Sequence, residues 1–215
     1  NYGRDIDYLH FHNHLEVGFC YYGKGTVTFK EDIPFDGNMF TVIPKNFPHT
    51  TTSAGDSVSY WEWLFIDADK FLREVYKDNP RMSHKVLDRV NRRAHFVRVQ
   101  DKPQIGALVQ QIIGCMRERK EFYLDEVKGL ILALLLQVAR WNREEAEKPE
   151  FEAGNTSLIT PAIDYISECC DRPIKVEELA AMCHISETHL RRVFHDCMQM
   201  SPVEYINWVR IRTAC

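Results

Sequence analysis

The sequence predicts an α+β fold, with short antiparallel strands closing into a sandwich or barrel, followed by helices. Two observations carry this prediction. Up to about residue 66 the chain is rich in aromatics, Thr and Val. It is broken at roughly ten-residue intervals by Gly23, Gly25, "PFDGN", "IPKNFPH" and "SAGDS", the punctuation of an antiparallel β unit. Beyond residue 104 the apolar period changes from two to 3.6, with Ile105, Leu108, Ile112, Ile113 and Met116 on one helical stripe. A chain of 215 residues, 45% hydrophobic and 27% charged, has room for two such units.

Taken in order, "YLHFHNHLEVGF" (8–19) places a histidine at every second position, so that His10, His12 and His14 share a face on an ideal strand. "EVGFCYY", "GKG" and "TVTFKE" then predict a hairpin whose glycines supply the positive φ of a tight turn. "SYWEWLFID" (59–67) puts Trp61, Trp63 and Phe65 on one face of a further strand. The helix expected near 124–143 is apolar almost all round. It is therefore expected to bury one face on the β unit and the other on a partner helix or a second subunit, with Leu134 and Leu135 as test positions. Its apolar run "LILALLLQVA" holds ten residues, about half of the roughly 20 that a membrane-spanning helix needs, so no membrane partner is expected.

"EEAEKPEFEAGNTS" (144–157) loses all periodicity and predicts a linker. Helices follow near 162–170, 176–183 and 187–196, the first begun by Thr160 as cap with Pro161 at the first helical position. Ser201 and Glu204 form a capping-box pattern at a further start. The seven cysteines are odd in number, scattered and never spaced C-x-x-C, and no apolar leader opens the sequence; a reducing cytoplasm is the expected location.

Two short helices joined by a turn of about three residues have helix-turn-helix dimensions. Leu179, Ala180, Ile185, Leu190, Val193 and Phe194 are spaced to pack the pair, leaving Glu187, Thr188, His189, Arg191, Arg192 and His195 exposed on the second helix. The stretch 179–211 closely resembles the first helix-turn-helix of AraC-type transcription regulators at Leu179, Ala180, Ser186, Leu190, Arg192, Phe194, Ser201, Tyr205 and Arg210. The resemblance implies that Thr188, Arg191 and Arg192 face DNA. It departs at Gln199, where the family usually has glycine, and a left-handed cap there costs on the order of 1 kcal/mol. The family carries two such motifs bridged by a long helix. The sequence ends inside that helix, so a longer native protein is expected. With six Lys or Arg against eight acids from Pro161 onward, this half-reader is expected to bind DNA poorly alone.

The opening stretch resembles the first cupin motif: His10-Phe11-His12, three residues, Glu16, six residues, Gly23. "NMFTVIPKNFPH" resembles the second, with Pro44 and His49 in place and Asn38 and Asn46 where glycines are usual, a mild change because asparagine tolerates the left-handed region. The resemblance implies a set of His10, His12, Glu16 and His49 able to hold zinc, nickel, manganese or iron. On a regular strand, however, Glu16 lies roughly 13 Å beyond His12, so a bend is required before it can join. AraC-type sensors also resemble metal cupins while holding a small molecule, often a sugar, without metal. That reading expects no cofactor and makes His10, His12, Glu16, Tyr22, His49, Trp61 and Trp63 the ligand contacts. Purely structural histidines are the third reading.

Together these observations predict a cupin-like effector-binding and dimerisation domain over 1–143 (barrel to about 100, helices about 104–143). A linker over 144–160 and a helix-turn-helix subdomain over 161–215 follow. The function expected is a ligand-responsive transcription regulator, not an enzyme. Its expected partners are operator DNA, a small effector such as a sugar, and a second copy bound through helices 105–143. The alternative is a cupin metalloenzyme, a dioxygenase or isomerase using His10, His12 and His49.

Overall fold

The computed structural model describes residues 10–29, 31–144, 156–198 and 200–214. The predicted cap at Gln199 and most of the predicted linker lie outside these. Strands β1 (Leu15–Tyr22), β2 (Gly25–Thr28), β3 (Asp32–Phe35), β4 (Met39–Ile43), β5 (Thr50–Ser53) and β6 (Tyr60–Ile66) precede helices α1 (Ala68–Val75) and α2 (Pro80–Val90). Strand β7 (His95–Arg98) then leads to α3 (Pro103–Glu118) and α4 (Tyr123–Glu144). The carboxy-terminal helices are α5 (Thr156–Cys169), α6 (Val176–Met182), α7 (Glu187–Met198) and α8 (Pro202–Ala214). The α+β class is as predicted.

The strands form two antiparallel sheets, ordered β6-β1-β4-β7 and β3-β2-β5, rather than one closed barrel. The predicted hairpin of β1 with β2 is not made. Gly23 does turn the chain at φ 106°, but both edges of β1 are taken by β4 and β6 and both edges of β2 by β3 and β5. The turn therefore carries the chain between sheets. Cys20, Val27, Phe29, Phe35, Met39 and Ile43 fill the space between them. The other face of the four-stranded sheet, with Leu15, Val17, Phe19, Phe40 and Val42, is covered by helices, so β1 is buried on both faces over most of its length.

Those covering helices include α3 and α4, and they settle the expectation for α4. Leu134 and Leu135 are fully buried within the chain, in one core with Val17, Phe40 and Val109, and face no second subunit. The exposed apolar residues of this pair gather instead where α3 passes into α4, at Met116, Phe122 and Leu124. Helices α1 and α2 were not anticipated. Their starts are nevertheless written locally: Asp67 accepts from the Lys70 amide at 2.9 Å and Asn79 from the Met82 amide at 3.3 Å, with Pro80 at the first helical position.

Helix α5 begins at Thr156, not after Thr160, and runs through Pro161. Its buried stripe Ile159, Ala162, Ile163 and Ile166 starts before the proline, so burial of the first turn outweighs the one backbone bond that Pro161 is unable to donate. The carboxy-terminal helices have their own core, centred on Leu179, Leu190, Val193, Phe194 and Tyr205. No helix among the described residues is long and apolar enough to cross a membrane.

Candidate functional site

Residues 11–14 are not strand. The chain pairs at His10 with His49 through two backbone bonds of 2.8 Å, bends, and enters β1 only at Leu15. That bend supplies what the spacing required: Glu16 comes back onto the histidines. Its Oε2 lies 2.8 Å from His12 Nε2 and its Oε1 3.2 Å from His49 Nε2. One potential ligand atom from each of His10, His12, Glu16 and His49 lies within 4.8 Å of the others. His14 turns away to a cleft of about 310 Å³ beside Lys45 and Asp69. Asn38 and Asn46, standing where the motif favours glycine, have φ of 62° and 60°, so the asparagines adopt the left-handed geometry.

Glu16 and His49 are almost wholly buried, and His10 and His12 half so. Burial pushes the Glu16 carboxyl up, but the two imidazoles outweigh it and hold it at about 2. His49 Nδ1 lies 2.8 Å from the Phe47 carbonyl, which only accepts, so Nδ1 carries the proton. In a neutral His49 ring, Nε2 then turns its lone pair towards a carboxylate. Neither it nor His12 Nε2 finds hydrogen-bonding geometry there. A proton or a cation between the groups resolves that arrangement. A metal at about 2.1 Å from each ligand spaces its ligands by at most about 4.2 Å. The cluster fits such an ion after closing by roughly half an ångström.

Along β6, Phe65, Trp63 and Trp61 stand opposite Glu16, Gly18 and Cys20 of β1, on the shared face that the alternation predicted. Phe65 meets the His12 ring edge-on at 4.7 Å, and Trp61 and Trp63 stack at 4.8 Å with 6° between planes. The histidine cluster therefore opens onto an aromatic ladder. Gly18 makes room for it, since a Cβ there meets Trp63 Cζ3 at 2.3 Å and Thr41 Oγ1 at 2.7 Å. Gly18→Ala is expected to cost about 1–3 kcal/mol through overpacking and to shift tryptophan emission, which equilibrium denaturation followed by fluorescence measures. Tyr22 is not brought to this site: past an irregularity after Cys20 it lies exposed, stacked on Tyr60 at 5.7 Å.

On α7, Thr188, Arg191 and Arg192 are exposed at i, i+3 and i+4, hence on one face, while Leu190, Val193 and Phe194 are buried. Arg191 pairs with Glu187 at 3.5 Å across one helical turn. Ser186 caps the helix, accepting from the His189 amide at 3.3 Å, and His184 at φ 55° turns the chain between α6 and α7. The predicted capping box is formed: the Ser201 amide donates to Glu204 at 2.7 Å and the Glu204 amide to Ser201 Oγ at 3.3 Å.

The sequence reading missed the residues joining the two units. Phe11, between His10 and His12, points the opposite way and inserts against Tyr205 and Trp208, with ring centroids 4.7 and 5.6 Å away. Lys45 and Asn46 both reach Asp164 on α5, at 3.3 and 3.0 Å. For Phe11 a signal existed, since alternation puts an apolar residue between two clustered histidines on the other side.

The sequence profile of bacterial regulatory helix-turn-helix proteins, AraC family, matches residues 170–207, covering α6, the turn and α7. The lactose operon transcription activator of Staphylococcus xylosus is 25% identical over 203 residues, covering 83% of this chain and 72% of that protein. An apo variant of ToxT from Vibrio cholerae shares the fold, with a TM-score of 0.59 and 12% identity, over 96% of this chain and 76% of its own. Behind a two-sheet unit and its covering helices, residues 170–207 thus carry a helix-turn-helix of the AraC family.

Proposed function

We propose that this protein binds operator DNA through α7 and answers to a small polar effector of the sugar class received at His10, His12, Glu16 and His49, beside the Trp61–Trp63 pair. One observation carries the reading: a buried carboxylate and its imidazoles stand at the end of a stacked aromatic ladder. Such a combination suits a molecule with hydroxyls on its rim and apolar ring faces. The Staphylococcus xylosus relative, named for the lactose operon, supports a carbohydrate. Titration of the protein with mono- and disaccharides, followed by tryptophan fluorescence and calorimetry, tests it. Saturable binding lost in Glu16→Gln is the expected result, and no binding across the panel defeats the sugar reading.

A divalent metal is the second reading, favoured by the lone pair that a neutral His49 ring would turn towards Glu16. His10, His12, Glu16 and His49 would hold it, and it would supply a charge joining two loop segments. The relatives named above are regulators or share a regulator's fold, and the metalloenzyme alternative gains no support from them. We place homodimerisation on helices α3 and α4, at Met116, Phe122 and Leu124, and the protein's work on operator DNA in the cytoplasm.

For DNA, Thr188, Arg191 and Arg192 form the docking face. Arg191→Ala is expected to weaken operator binding by about 1–3 kcal/mol with relaxed preference at one base pair, whereas a phosphate contact weakens all sequences alike. Fluorescence anisotropy on operator variants, at two salt concentrations, separates the two. Unchanged binding in both Arg191→Ala and Arg192→Ala would refute this face.

A further inference from the structure

A cleft of about 420 Å³ lies between the start of α3 and the end of α4 and shares no residue with the histidine cluster. Spacing on α4 builds one wall: Gln137, Arg140, Trp141 and Glu144 recur at i, i+3, i+4 and i+7, hence on one helical face. Lys102, Gln104 and Ile105 supply the other wall, from the cap and first turn of α3. The volume is that of a small-molecule site.

Trp141 is fixed in place within this wall. Its ring stacks on His95 at 3.6 Å, and His95 is itself held by Asn142, which donates to the Arg89 carbonyl at 2.7 Å. The indole is only 4% exposed, yet its Nε1–H meets no acceptor among the described residues. A buried donor left alone in this way calls for an acceptor from outside the chain. Two cations stand beside it. Lys102 Nζ lies 4.7 Å from the centre of the Trp141 ring, and neither it nor Arg140 has a carboxylate partner among the described residues. Helix α3 opens with no side-chain cap and no acid in its first turn, so the positive end of a 16-residue helix also faces the cleft. Asp101 and Glu144 complete the lining but are exposed, where water and salt screen them.

The geometry points to this cleft as a second small-molecule site, one that takes an organic phosphate of sugar-phosphate size. The inference does not depend on what fills the histidine cluster. A phosphate monoester carries close to two negative charges at neutral pH, which Lys102 and Arg140 match, and its three terminal oxygens accept from a guanidinium fork and from amides at a helix start. The orphan Trp141 Nε1–H then has an acceptor. A carboxylate brings one charge and fewer acceptor positions, so it uses this donor set less fully. The space beyond the phosphate holds the body of the molecule, with the Gln104 and Gln137 amides available to its hydroxyls.

Calorimetric titration with glucose 6-phosphate and with glucuronate, which carries a carboxylate in place of the phosphate, tests this. The titrations are run in wild type, in Glu16→Gln and in Arg192→Ala, so that neither the histidine cluster nor the DNA face stands in for the cleft. Saturable binding of glucose 6-phosphate is expected in all three. Arg140→Gln and Lys102→Met are each expected to weaken it by about tenfold or more, the effect of removing a charge-assisted hydrogen bond. Arg140 is exposed, so its variant keeps the fold, which an unchanged melting temperature verifies. Trp141→Phe keeps an aromatic ring against His95 and removes the donor; a smaller loss of affinity there supports the indole contact. Glucuronate is expected to bind about tenfold more weakly than glucose 6-phosphate. Equal affinity for the two overturns the phosphate assignment. Absence of saturable binding, binding unchanged in Arg140→Gln and Lys102→Met, or binding abolished by Glu16→Gln or Arg192→Ala overturns the site itself.

Discussion

Leu134→Glu is expected to unfold the β unit with its covering helices rather than to release a monomer. Leu134 has no exposed surface, and a carboxylate placed among Val17, Phe40 and Val138 has no partner there. Leu134→Ala, which adds no charge, is expected to cost about 2–5 kcal/mol from lost transfer free energy and the cavity left behind. Urea denaturation of both variants, with sedimentation to count subunits, checks this. A Leu134→Glu protein that stays folded and merely becomes monomeric would contradict the in-chain burial.

The second large effect concerns Glu16 and pH. Its carboxyl is held at about 2 in the folded protein against 4.5 in the ordinary case, because the imidazoles of His12 and His49 outweigh the opposing effect of burial. A folded pKa below the unfolded one means stability that is complete above about pH 4.5 and drains away as pH falls towards 2. The difference amounts to about 3 kcal/mol. In Glu16→Gln this stretch of the pH–stability curve is expected to flatten, with the variant weaker by a similar amount near neutrality. Chemical denaturation of chelator-treated protein between pH 2 and 7 measures it. Equal slopes for wild type and Glu16→Gln would show that the carboxylate is not held by the histidines.

What was legible in the sequence follows the range of each interaction. The helix-turn-helix was legible because its packing positions, Leu179, Leu190 and Phe194, and its cap at Ser186 are set by local spacing. The histidine set was legible from two motifs, and even the need for a bend before Glu16 followed from strand geometry. The β1–β2 hairpin was misread because a glycine turn specifies a reversal of direction but not which edges pair, and here β4 and β6 take those edges. The cover of α4 was left open between a partner helix and a second subunit because an all-round apolar helix does not say whether its cover comes from the same chain. Pro161 misled because a strong local start signal lost to the burial of Ile159. The ring contacts of Phe11 and the grip on Asp164 join residues more than a hundred positions apart, beyond the reach of any local pattern.

The position of Phe11 also sets a timetable. Tyr205, its partner, is synthesised 194 residues later (205 minus 11), which at ribosomal speeds of about 5–20 residues per second is a delay of roughly 10–40 s. Once Glu144 has been made the β unit has all its strands and covering helices, yet for 61 residues more (205 minus 144), roughly 3–12 s, it carries an aromatic side chain whose socket does not yet exist. The nascent β unit is therefore most exposed to aggregation at Phe11 just before α8 emerges.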